Sequence, residues 1–278
     1  MTDQYLAISQ ACSELITRSY STSFSAGIRM LEPCFRGPVY AVYGFVRLSD
    51  EIVDSFLTGD RKTLLDHFCA DTRRAIRDGV SLNPVLHSFQ QVVREYGIEQ
   101  ELIEAFWKSM YMDLNQSAYS RENYESYIYG SAEVVGLMCL RIFCKGQPGL
   151  FDALREPARS LGAAFQKVNF LRDLKADYEV LGRIYFPGLQ LDPFTAEAKQ
   201  AIEAEIEIDF RRGLGGIQQL PRGSRQGVQL AYRYYYALFL RIRKKSPSGI
   251  REARVRISNL QKAWIYLGCM LRSPFSRP

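Results

Sequence analysis

The chain has 278 residues, 47% hydrophobic, 24% charged and 13% aromatic. That balance excludes a disordered tail, a collagen-like fibre and a small disulfide-stapled scaffold, and supplies apolar side chains for a sizeable core. The net charge of +6 is uneven: thirteen basic residues and one acid, Glu252, lie from Arg222 onward, which leaves residues 1–221 at −6.

Such a basic segment on an acidic body suits a polyanion: nucleic acid, an anionic membrane surface or a diphosphate. The N-terminus carries Asp3 and Glu14 and no basic region ahead of an apolar run, unlike a secretory leader, so a cytoplasmic address is expected. No stretch approaches the roughly 20 apolar residues of a spanning helix. Even Ala263 to Leu271 is bounded by Lys262 and Arg272. The six cysteines, Cys12, Cys34, Cys69, Cys139, Cys144 and Cys269, are scattered and offer no zinc spacing. They are expected to be reduced and mostly buried.

Glycine and proline interrupt the chain at helical intervals, and apolar residues between them recur every three to four positions. Helices are predicted near 5–22, 38–57, 61–78, 83–95, 99–117, 122–144, 150–180, 195–214, 224–244 and 257–271. No interval alternates β-branched residues between turn signals, so the fold class is all-α. No linker-like stretch divides the chain, and residues 1–278 are expected to form a single domain.

In the helix near 38–57, Val42, Phe45, Val46, Ile52, Val53 and Phe56 share one arc, and Tyr43, Arg47, Asp50 and Asp54 the arc beside it. Two carboxylates one turn apart repel unless a cation lies between them, and a hard divalent ion such as Mg²⁺, completed by water and phosphate, is the natural partner. The helix near 150–180 carries a second stripe: Gln166, Asn169, Asp173 and Asp177 fall in one narrow arc, with Leu161, Phe165, Val168, Leu171 and Leu174 on its other sides. A helix this apolar is expected to be largely buried, so its carboxylates must face a metal, a cation or a wet cavity. A lone D-x-x-x-D is ordinarily a solvated face. Two such pairs, each bordered by apolar positions and a nearby arginine, Arg47 or Arg172, are not.

These residues resemble the head-to-head trans-prenyl synthases: the phytoene, squalene and dehydrosqualene synthases, in order over nearly the whole chain. RLSDEIVD at 47–54 resembles the family's first aspartate-rich motif, and QKVNFLRDLKADYEVLGRIYFP at 166–187 the second. YSTSF at 20–24 resembles its serine segment, NPVLHSF at 83–89 a helix-preceding turn, and YIYGSAEVVG at 127–136 the pocket floor. The resemblance implies an isoprenoid-synthase-type helical bundle around a central cavity, with the two acidic motifs facing across its mouth. By the same resemblance Asp50, Glu51, Asp54, Asn169, Asp173 and Asp177 would hold Mg²⁺, with Mn²⁺ as an alternative ion. Ser21, Ser23, Arg47, Arg172 and Arg254 would bind diphosphate, and Tyr43, Tyr129 and Gln166 would lie near the reacting carbons. Three departures stand out: Glu51 replaces the usual second aspartate, Thr22 stands where a basic residue is common, and Ser248 stands near the place of an expected tyrosine.

The implied activity is phytoene synthase: Mg²⁺-dependent 1–1′ condensation of two geranylgeranyl diphosphates through a cyclopropylcarbinyl diphosphate, the first committed step of carotenoid biosynthesis. No NADPH is expected for that product. The alternative is squalene or dehydrosqualene synthesis from farnesyl diphosphate, and a third reading is a non-catalytic assembly scaffold, which would not retain the four aspartates. Phe24, Tyr40, Phe45, Val134, Leu137, Met138, Phe165 and Phe170 are candidate cavity walls, and Tyr127 and Tyr129 candidate cation-stabilising rings. Residues 231–245, AYRYYYALFLRIRKK, interleave aromatic and basic residues. They read better as an amphipathic helix facing solvent or anionic lipid than as a nucleic-acid surface, so peripheral membrane contact is expected and nucleic acid is not.

Overall fold

The computed structural model describes residues 2–55, 59–115, 118–189, 194–252 and 254–271. Phe56 and Arg272, named above, lie outside them. Helices α1 (Thr2–Tyr20), α2 (Thr22–Arg29), α3 (Pro33–Asp54), α4 (Arg61–Asp78), α5 (Pro84–Tyr96) and α6 (Gln100–Asn115) come first. Helix α7 (Arg121–Ile128) passes through a π-helical turn, Tyr129–Glu133, into α8 (Val134–Phe143). Then follow α9 (Pro148–Glu179), α10 (Ala196–Ile217), α11 (Arg222–Arg243), α12 (Pro247–Glu252) and α13 (Asn259–Met270). Among the described residues the only β feature is a bridge between Ala118 and Ile184, so the fold is all-α.

Local chemistry sets the helix ends. Ser21 adopts extended backbone (φ −140°, ψ 107°) and its Oγ accepts from the Phe24 amide at 3.1 Å, so the helix predicted over 5–22 stops at Tyr20 and α2 begins. Asp60, Asn83, Ser120, Thr195 and Ser258 cap α4, α5, α7, α10 and α13 in the same way. The short α12 was not expected from the pattern.

Two large apolar clusters meet along α9. One gathers α3, α4, α5, α6 and α8, with Phe45 stacked on Phe89 at 3.9 Å and Trp107 edge-on to Phe45 at 5.3 Å. The other gathers α7, α9, α10 and α11 around Phe210 and Phe239. Close approach is achieved where side chains vanish: a Cβ on Gly162 would sit 2.7 Å from the Ala132 carbonyl oxygen, and one on Gly216 2.3 Å from Pro157 Cβ.

Several expectations change here. Tyr40, Phe45, Val134, Leu137 and Met138 are buried in the first cluster and do not line the cavity. Helix α11 turns Tyr232, Tyr234, Tyr235, Leu238, Phe239 and Ile242 inward. Of the cysteines, Cys69, Cys144 and Cys269 are buried, Cys12 and Cys139 half-buried and Cys34 exposed. No described helix is long and apolar enough to cross a membrane.

Candidate active site

A cavity of about 650 Å³ lies between the two clusters. Along α9 its lining runs from Leu154 to Asp177, about 35 Å at 1.5 Å per residue. The Leu154 end is apolar, with Pro157, Ala158, Leu161 and Phe165, whereas the other end presents Gln166, Asn169, Arg172, Asp173 and Asp177. Phe24 and Phe170 also line it, as expected.

Helix α3 brings Tyr43, Arg47, Asp50 and Asp54 to the same cavity. Tyr43 packs on Phe24 with ring centroids 5.8 Å apart, its hydroxyl meets Ser21, and burial pushes its phenol up to about 12. Arg47 lies over the Tyr20 ring at 4.1 Å and pairs with Glu51 one turn on. Glu51 therefore does not line the cavity. Burial works against its charge, yet hydrogen bonds from Ser55 and Arg47 hold its carboxyl below the usual range. Ser23 is half-buried and also stands outside the lining.

The two acidic helices face each other. Burial, then Asp54, pushes Asp50 up to about 8; burial, then Asp173 and Asp54, pushes Asp177 up to about 7. Arg183 ties the motifs together by donating to Asp54 at 3.1 Å and to the Tyr185 hydroxyl at 3.3 Å. It also lies 3.6 Å from Asp113, whose carboxylate accepts from Tyr127 at 2.7 Å and Tyr185 at 3.0 Å. Asp173 is held by Arg172 at 2.5 Å and by Arg254 at 2.7 Å. Tyr129, by contrast, opens the π-helical turn outside the cavity, with the Arg159 guanidinium 5.3 Å from its ring centre. Tyr127, two residues earlier on the opposite side of the helix, lines the cavity.

The family model for squalene/phytoene synthase matches residues 17–261. The chain belongs to that family. It is 28% identical over 278 residues to a 15-cis-phytoene synthase from Paracoccus sp., covering 91% of this chain and 87% of the relative. It is 32% identical over 270 residues to a presqualene diphosphate synthase from Zymomonas mobilis, covering 90% and 89%. A ligand-bound dehydrosqualene synthase crystal structure superposes with a TM-score of 0.83 at 21% identity, covering 96% of this chain and 97% of that one, a likeness of fold. This squalene/phytoene synthase is thus a prenyltransferase of the head-to-head class.

The family is divalent-metal dependent, and the donors here fit such an ion. Asn169 Oδ1 is buried with no hydrogen-bond partner, one turn before Asp173. The candidate donors are all oxygen, and two carboxyls are destabilised by burial and by like charge. Among the described residues no three carboxylate, histidine or cysteine side chains converge on one point. An ion that takes one or two carboxylates from each helix and fills its shell with water and phosphate needs no tighter cluster.

Sequence reasoning on this synthase missed Asp113, Arg183 and Lys262. Asp113 shares the buried face of α6 with Ile103, Phe106 and Met110, a carboxylate among apolar residues that could have been flagged. Lys262 donates to Thr22 Oγ1 at 2.8 Å, bringing a cation from α13 to the position whose basic residue is absent. Burial, then Arg172, holds its ammonium below the usual lysine range.

Proposed function

We propose that this synthase condenses two molecules of geranylgeranyl diphosphate head to head to phytoene. The observation that carries the reading is one cavity that joins a polar end of facing carboxylates and arginines to a long apolar end. Phytoene synthases that align with nine-tenths of the chain support the C20 substrate.

In this mechanism Arg47, Arg172 and Lys262 grip the diphosphate oxygens, the arginines through forked donors. A divalent ion, when held by Asp50, Asp54, Asn169, Asp173 and Asp177, supplies further countercharge to the departing pyrophosphate. Arg183, itself held by Asp113 and the Tyr185 hydroxyl, donates to Asp54 and fixes that carboxylate. The allylic C–O bond breaks with its electron pair leaving on pyrophosphate, and the double bond of the second diphosphate attacks the cation. Proton loss closes a cyclopropylcarbinyl diphosphate, whose own ionisation, rearrangement and final proton loss give phytoene. Apolar walls such as Phe24, Phe165 and Leu161 exclude the water that would quench each cation. Tyr43 and Gln166 stand between the polar and apolar ends, where they orient the reacting carbons.

The second reading, condensation of farnesyl diphosphate to presqualene diphosphate, is favoured by the 32% identical Zymomonas relative. Incubating purified protein with Mg²⁺ and each diphosphate separately, then identifying the product, tests both. Phytoene from the C20 diphosphate is expected; presqualene diphosphate or a C30 hydrocarbon formed in preference would replace the first reading with the second. No product from either would overturn both.

A further inference from the structure

Helix α13 has two unlike faces. On the inner one Ile265, Tyr266 and Cys269 pack with Ala26, Leu230 and Tyr234 of α2 and α11, and Lys262 reaches Thr22 beside the cavity. The opposite side carries Leu260, Trp264, Leu267 and Leu271 at intervals of four, three and four, which are 71%, 68%, 48% and 79% exposed. A groove with Tyr236, Ala237 and Leu240 of α11 continues this surface. Exposed Arg241, Lys244, Lys245 and Arg256 lie at the ends of the elements that carry it.

We propose that the outer face of α13 docks the protein on an anionic phospholipid bilayer. Trp264 and the leucines enter the headgroup–acyl boundary, and the basic residues lie against lipid phosphates. A contiguous apolar stripe centred on tryptophan marks an interaction surface rather than a solvated helix. Charge decides between occupants. Exposed Arg241, Lys244, Lys245 and Arg256 flank the apolar stripe, so two copies paired through this face would bring like charges together, whereas an anionic bilayer is its electrostatic complement. The membrane face expected on 231–245 thus moves to α13, because α11 spends its aromatics on the core. Docking also has a consequence for lipid traffic: the bilayer would lie one helix diameter, ~10 Å, from Lys262, whose partner Thr22 adjoins the cavity-lining Ser21. An apolar tail could then pass between cavity and membrane with little exposure to water. The proposal goes beyond the condensation reading and does not depend on which diphosphate is used.

The chain has two tryptophans, and Trp107 is only 1% exposed, so Trp264 reports the contact directly. With phosphatidylglycerol-containing vesicles, co-sedimentation, a blue-shifted tryptophan emission and quenching by brominated acyl chains are expected, and neutral phosphatidylcholine vesicles should bind about tenfold more weakly or worse. Trp264→Glu should abolish binding, and Lys244→Glu with Lys245→Glu should weaken it about tenfold or more, while thermal unfolding and turnover of detergent-dispersed substrate stay at wild-type values. No binding to anionic vesicles, equal binding to neutral ones, or full binding by Trp264→Glu would overturn the proposal. So would concentration-dependent dimers that shield Trp264 without lipid.

Discussion

Asp50 shows how a single residue can be costly to the fold while lining the candidate site. Burial, then Asp54, pushes its carboxyl up from an ordinary 3.8 to about 8. A raised carboxyl stabilises the folded state fully below the unfolded value and loses that contribution as pH rises through the folded one. Asp50→Asn cannot ionise, so without metal it should unfold at higher temperature than wild type at pH 8 and at about the same temperature at pH 4. A gain of at least about 1 kcal/mol at pH 8 corresponds to roughly 2–4 °C. The same variant should lose turnover by orders of magnitude, since the role proposed for this group is to anchor an ion rather than to pack a core. Calorimetry at the two pH values and a product assay check both halves. Arg172→Lys should cost more activity than its retained charge suggests, because lysine loses the fork that grips Asp173 and with which the proposed mechanism binds diphosphate. Wild-type kcat/KM would remove Arg172 from the diphosphate site.

At the scale of elements, α9 does most of the positioning. Its 32 residues carry Leu154 into one cluster, Val168 and Leu171 into the other, and the polar stripe into the cavity between. The 3.6-residue period made that stripe legible, since side chains three and four apart must share a face. Other features of the helices were less so. Nothing in YIYGSAE announces a π-helical turn, whereas the opposed placement of Tyr127 and Tyr129 follows from the ordinary helix, in which side chains two apart point about 200° away from each other. The seam between α9 and α10 depends on Gly216 lying against Pro157. Gly216→Leu would place carbon where there is none to spare, and a loss of about 1–3 kcal/mol, read as a lowered denaturation midpoint, is expected.

At the scale of the whole molecule, the proposed function places the choice of substrate length in the cavity. Cys139 and Phe143 of α8 line it among the apolar residues. Cys139→Trp should shorten the usable space, so kcat/KM for the C20 diphosphate should fall about tenfold or more while the C15 diphosphate is affected less. Product analysis with paired substrates reads the ratio, and an unchanged ratio would take Cys139 out of the tail-binding wall. Mg²⁺ with pyrophosphate should also raise the thermal midpoint in a concentration-dependent way, because a ligand held only by the folded site stabilises it by mass action. Neither component alone should match the pair.

By itself the sequence determined the all-α class, most helix spans and the two carboxylate stripes, because periodicity and capping act over a few residues. It also pointed to Arg47 and Arg172 beside those stripes. Only the tertiary structure decided that Glu51 turns to Arg47, that Arg183 joins Asp54 to Asp113, and that Lys262 returns from 240 residues away to stand at Thr22. Those pairings depend on how helices distant in sequence cross, and no local pattern encodes a crossing. The same holds for the walls: periodicity marks a residue as inward, but only the packed bundle separates Phe165 at the cavity from Phe45 in solid core.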